Sequence, residues 1–126
     1  MTSVLVDSDI LIEVSRGRNQ DVLSRWKQLS GSDIPIFCSP VTVAELWHGV
    51  RRGEEEILGA LFAALICIPI DAEIGRRAGE YLRQYRKSHQ VELGDALIAA
   101  SASQHGLALW TRNRRHYPMT DVSFFE

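Results

Sequence analysis

The sequence predicts an α/β fold: a mostly parallel sheet with helices on both faces. Two observations carry this. Short apolar runs of strand length alternate along the chain with longer stretches of helical periodicity, and the runs are apolar throughout, as strands covered on both faces must be. At 126 residues, against about 150 for an average domain, the chain is expected to form one domain over 1–126. Its 45% hydrophobic and 24% charged residues are globular values, and a chain of this size can bury about two-thirds of its unfolded surface.

Val4 to Val6 is the first strand, stopped by Asp7, Ser8 and Asp9, after which Ile10, Leu11 and Val14 recur at helical spacing. A second helix covers Asp21 to Leu29, with Val22, Leu23, Trp26 and Leu29 on one face, and a GSDIP loop leads into a strand at Ile36 to Cys38. Ser39 and Pro40 open the next helix, serine as N-cap and proline at the first helical position, and it ends near Gly49. Glu54, Glu55 and Glu56 load the first turn of a helix that runs to about Ala64, where the helix dipole favours negative charge. Leu65 to Ile70 reads as a strand. Asp71 caps a long helix whose Ile74, Ala78, Tyr81, Leu82 and Tyr85 form one apolar stripe. Gly94 and Asp95 start a helix of small and apolar residues that Gly106 ends, followed by a strand at Leu107 to Trp110, a short helix over Arg114 and Arg115, and an edge strand near Val122 to Phe124. No repeat, linker or low-complexity segment interrupts this order.

Fourteen basic residues against 16 acidic ones leave a net charge of -2, which excludes a uniformly basic, phosphate-tracking surface. Cys38 and Cys67 stand singly in apolar stretches and read as buried free thiols of a reducing compartment. The longest apolar stretch, Ile57 to Ile70, is 14 residues long and is short of the roughly 20 that span a bilayer. The N-terminus lacks the basic start and long apolar segment of a signal peptide, so a cytoplasmic protein without a membrane partner is expected.

Open α/β sheets bind ligands beyond the carboxyl ends of their strands. Asp7 and the segment Thr111 to Asn113 both follow strands, Glu45 lies early in the helix after the second strand, and Asp95 starts an apolar helix, so all can converge at one rim. Three carboxylates brought together repel unless a cation neutralises them. Oxygen donors without a Cys or His cluster favour a hard ion, Mg²⁺ or Mn²⁺, and the four histidines show no zinc spacing. Each acid also has a purely structural reading. Asp7 or Asp9 can be the N-cap of the first helix, Glu45 can close a capping box with Thr42, and Asp95 can cap its own helix.

The strings VDSDIL at 6–11, SPVTVAELWHGV at 39–50, GDALIAASA at 94–102 and ALWTRNRRHY at 108–117 occur together and in order. In this combination the chain resembles the PIN-domain ribonucleases, specifically toxins of the VapC type, over nearly its whole length. The resemblance implies a single PIN domain, a three-layer α/β/α sandwich, that works as a Mg²⁺- or Mn²⁺-dependent endoribonuclease on RNA, forms a homodimer, and is neutralised by a VapB-like antitoxin. Carried over by motif, the catalytic and metal-holding acids are Asp7, Glu45 and Asp95, supported by Ser8 and Thr111. Asp7 and Asp95 would hold the ion and Glu45 would orient the attacking water or accept its proton. The fourth polar position, often an acid in relatives, is Asn113, and the commonly acidic position three residues on is His116. This departure implies one ion in the free protein, with any second recruited by substrate phosphate.

Arg112, Arg114 and Arg115 beside that site can grip flanking phosphates, or form a solvated helix face. Arg76, Arg77, Arg83, Arg86 and Lys87 read as solvation or as a contact for an acidic partner or RNA, Glu92 as a solvated loop residue or a neighbour of the site, Trp47 and Trp110 as core aromatics, and the helix bearing Phe62 as a support for a dimer interface. Two other functions fit parts of the sequence. Asp7-Ser8-Asp9 resembles the start of haloacid-dehalogenase-like phosphatases, although Leu11 and the lack of a suitable later lysine depart from it. A non-catalytic receiver-like or PIN-like binding module is the other.

Overall fold

The computed structural model describes residues 3–126. Strands β1 (Val4–Val6), β2 (Ile36–Cys38), β3 (Ile66–Cys67), β4 (Ala108–Trp110) and β5 (Ser123–Phe124) form one sheet in the order β3-β2-β1-β4-β5. Every pairing is parallel. Helices α1 (Ser8–Arg16), α2 (Gln20–Ser30), α3 (Pro40–His48), α4 (Glu55–Ala63), α5 (Ala72–His89) and α6 (Leu93–His105) make the first three connections in pairs, and a 3₁₀ turn at Arg114–His116 lies in the last, from β4 to β5.

The central strand shows why two helical layers are needed. All three residues of β1 are fully buried: Val4 and Val6 pack into the core shared with α1 to α4, whereas Leu5 packs with α5 and α6. This is the period-two alternation of a strand covered on both faces, giving the expected α/β/α sandwich. Helix α6 is nearly apolar all round because it lies inside the second layer. Its Ala96, Ile98, Ala99, Ala100, Ser101 and Ala102 are buried, and their small size lets α5 lie close along it.

The caps follow the sequence closely. Ser39 accepts from the Val41 N–H at 3.1 Å, Asp71 accepts from the Ile74 N–H at 2.9 Å, and Gly106 ends α6 in the left-handed region at φ 62°. Three expectations fail at the sheet edge and on one helix face. The strand expected over 65–70 is only Ile66–Cys67, since β3 has a single neighbour and Pro69 has no N–H to pair. Cys67 on that edge is exposed, in contrast to its register partner Cys38, which is buried; both thiols are free. Trp47 is 40% exposed on α3 instead of sitting in the core, where Trp110 does sit.

The strand order also locates a crevice. The chain builds β2 and β3 on one side of β1, then returns to place β4 on the other, so the connections diverge between the carboxyl ends of β1 and β4. The Asp7 N–H donates to the Trp110 carbonyl at 2.9 Å, which joins the two strand ends there.

Candidate active site

At this crevice lies an open cleft of about 340 Å³ lined by Asp7, Ser8, Asp9, Ile12, Glu45, Glu92, Asp95, Asn113 and His116. Its acids come from β1's end, α1, α3 and α6, elements far apart in sequence. Asp7 is the N-cap of α1, but its hydrogen bonds extend well beyond a cap. Oδ1 accepts from the Ser8 N–H at 2.7 Å, and Oδ2 accepts from the Thr111 hydroxyl and the Tyr117 hydroxyl, each at 2.9 Å. Burial first, then the neighbouring acids, pushes the Tyr117 phenol far above its ordinary range, so it remains a protonated donor to Asp7.

Glu45 does not close a capping box, since Ser39 caps α3. It accepts at Oε1 from the Ser8 hydroxyl at 2.7 Å, and Ser8 also donates toward Thr42 Oγ1 at 3.2 Å. Asp95 combines both readings of the sequence. It is the third residue of α6, where its Oδ2 accepts from the Glu92 N–H at 3.2 Å in a reciprocal capping box, and it faces the cleft. Burial holds the Asp95 carboxyl above its usual range, against the lowering effect of the Glu92 N–H and of His116, whose Nδ1 stands 3.9 Å away. Gly94 lets this turn approach α3, since a Cβ there would meet Val41 Cγ1 at 3.3 Å.

Thr111 lies behind Asp7 and is buried, and its hydroxyl also accepts from the Asn113 N–H at 3.0 Å. The arginines are not part of the cleft wall. Arg112 stands 3.7 Å from Glu13, and Arg114 is 3.2 Å from Glu126 and lies over the Phe124 ring. Arg115 lines a shallow basic groove with Lys87, His89 and His116, and His116 belongs to both groove and cleft. On α5, Arg76 pairs with Glu73 and Glu80, and Arg77 with Ser103 and Asp121, in keeping with a structural role for those two.

The family model of the PIN domain matches residues 4–122. The chain belongs to the PIN-domain family. This PIN domain is 42% identical to Ribonuclease VapC10 of Mycobacterium tuberculosis over 118 residues, covering 92% of this chain and 86% of that protein. It is 32% identical to Toxin FitB of Neisseria gonorrhoeae, covering 97% and 96% of the two chains. Among solved structures, the DNA-bound VapBC of Salmonella typhimurium superposes with a TM-score of 0.81 at 18% identity over 99% of this chain and 98% of that one, which shows the shared fold.

Sequence reasoning missed Tyr117, Thr42 and the placement of Asp9. Tyr117 lies nine residues beyond the start of β4, and only the 3₁₀ turn at Arg114–His116 swings its hydroxyl back to Asp7. Asp9 turns its Oδ2 to the Arg112 N–H and leaves Oδ1 buried without a partner; burial and the Asp7 charge push its carboxyl up to about 6. Among the described residues, no three acidic, His or Cys side chains already meet at ligating distance. An acid-rich cleft with an orphaned carboxylate oxygen nevertheless fits a hydrated hard cation, which takes one or two carboxylates and completes its shell with water and phosphate.

Proposed function

We propose that this PIN domain is a Mg²⁺- or Mn²⁺-dependent endoribonuclease and the toxin of a toxin–antitoxin pair acting in the cytoplasm. The observation that carries the reading is the cleft at the switch point, where Asp7, Glu45 and Asp95 face one opening and Asp7 is held by three hydrogen bonds. The ribonuclease and toxin names of relatives covering over nine-tenths of this chain support it.

In this reading Asp7 and Asp95 hold the ion, which supplies positive charge beside the scissile phosphate and lowers the pKa of a water. Glu45 orients that water and accepts its proton: Ser8 fixes Oε1, so Oε2 is free to accept. Thr111 and Tyr117 keep Asp7 aimed at the cleft. RNA phosphates flanking the cleft meet Arg115 through the groove that His116 shares, and Arg112 next to Asp9; Arg114 joins only by releasing Glu126. Unstacked RNA is the substrate class, because its exposed backbone reaches a rim site as a duplex does not. A VapB-like antitoxin is the partner, as in the toxin–antitoxin complexes among the solved relatives, and a homodimer is the assembly.

Purified protein freed of antitoxin should cleave tRNA or ribosomal RNA with Mg²⁺ or Mn²⁺ and stop on chelation. Asp7→Asn and Asp95→Asn should each lower the rate at least about 100-fold, since charge stabilisation by the ion is worth several kcal/mol. Both variants should also relieve growth arrest on expression. A protein that cleaves none of these RNAs is a binding module, and the nuclease reading falls.

A further inference from the structure

Asp9 is the one acid of α1's first turn to which none of the roles above gives a task. Its side chain crosses to the loop after β4, where Oδ2 accepts from the Arg112 N–H at 2.8 Å and from Asn113 Nδ2 at 3.2 Å. Oδ1 is buried and has no hydrogen-bond partner. A carboxylate only accepts, so the Asn113 amide must present its nitrogen to Asp9, which leaves the amide oxygen for the cleft that Asn113 lines. The loop clamp accounts for one oxygen of Asp9 and leaves the other unexplained. A cation in the cleft accounts for it, and the Asn113 side chain beside it carries no charge of its own.

We propose that Asp9 supplies the negative charge that Asn113 lacks, with Oδ1 directed to the cation and Oδ2 setting the Asn113 amide so that its oxygen faces the same ion. Asp9 and Asn113 thus form one hydrogen-bonded unit, with the charge on α1 instead of on the loop. The proposal rests on the metal-dependent reading of the cleft.

The test is calorimetric titration of the intact protein with Mn²⁺, alongside RNA cleavage and melting without added metal. Asp9→Asn retains an oxygen for the Arg112 N–H and removes the charge. It should bind Mn²⁺ about tenfold more weakly or worse, the scale at which groups supporting a metal act, with no loss of melting temperature. Asn113→Asp alone sets two carboxylates together, and should melt lower without metal and gain more from Mn²⁺ than the unmodified protein.

Unchanged Mn²⁺ affinity in Asp9→Asn overturns the proposal. If Asp9→Asn does not fold, a Mn²⁺-induced melting shift in Asn113→Asp equal to that of the unmodified protein overturns it. Unmodified protein that takes up no Mn²⁺ overturns both the proposal and the metal-dependent reading. Asp9-dependent Mn²⁺ binding without cleavage of any RNA overturns the nuclease reading alone.

Discussion

The Asp7 carboxylate is the most constrained acid of this PIN domain, and its two hydroxyl donors define what a single residue does here. Tyr117 and Thr111 share Oδ2, so removing one hydroxyl leaves the other in place. Tyr117→Phe should therefore fold, losing about 1 kcal/mol for one buried hydrogen bond. Its effect on the site should be larger than its effect on stability. Loss of a group that orients a metal-holding carboxylate costs roughly 10–100-fold in affinity or activity, and Mn²⁺ titration with a cleavage assay should show a loss in that range. A variant as active as the unmodified protein would reduce Tyr117 to a core residue.

Helices α5 and α6 are pinned to the chain's last strand by a cluster on the side of the sheet remote from the cleft. The Tyr81 hydroxyl donates to Asp121 at 2.7–2.8 Å, Ser103 donates to it at 3.0 Å, and Arg77 stands 3.6 Å away. Burial acts to raise the Asp121 carboxyl, but the two hydroxyls and the guanidinium outweigh it and hold the group below its ordinary range. A carboxylate with a depressed folded pKa contributes stability above its unfolded value of about 4, and that contribution is lost as pH falls through the folded value. The melting temperature of Asp121→Asn should accordingly lie below that of the unmodified protein at pH 7, and the gap should close toward pH 3. A gap of equal size at both pH values would show that the carboxylate's charge contributes nothing. Because Asp121 is remote from the cleft, cleavage at pH 7 should be unaffected at temperatures where both proteins are folded.

On the scale of the whole molecule, three large apolar side chains of α3, α4 and β3 remain exposed. Trp47 on α3, Ile57 on α4 and Ile66 on the edge strand β3 are 40%, 54% and 52% exposed, and only Leu58 of α4 is buried. Large side chains left in water on adjoining elements mark an interaction surface, and the proposed homodimer is its natural occupant. Ile57→Asp should shift the protein toward monomer in sedimentation while leaving its melting temperature nearly unchanged at monomeric concentrations. Identical sedimentation for the two proteins would assign the surface elsewhere. Among the described residues, no helix is long and apolar enough to cross a membrane.

How much of this was legible in the sequence depended on the range of the forces involved. Local rules settled where elements start and stop: Ser39 before Pro40, Asp71 before its amphipathic stripe and Gly106 after α6 act within one helical turn, and the uniformly apolar β1 and β4 declare strands buried on both faces. The motif strings named the family and the acids Asp7, Glu45 and Asp95, which do share one cleft. Tertiary structure alone decided what each acid touches. Ser8 meets Glu45 across 37 positions and Tyr117 meets Asp7 across 110, and such partners are set by strand order and loop path, which no local spacing encodes. The same holds for the exposed Trp47 and Cys67: an apolar residue is buried only if the fold brings a second layer over it, and at the β3 edge none is brought. Asp9 is the sharpest case. In sequence it is one of two acids that can cap α1; in the fold, Asp7 takes the cap and Asp9 is left with one oxygen on the loop and one buried without a hydrogen-bond partner.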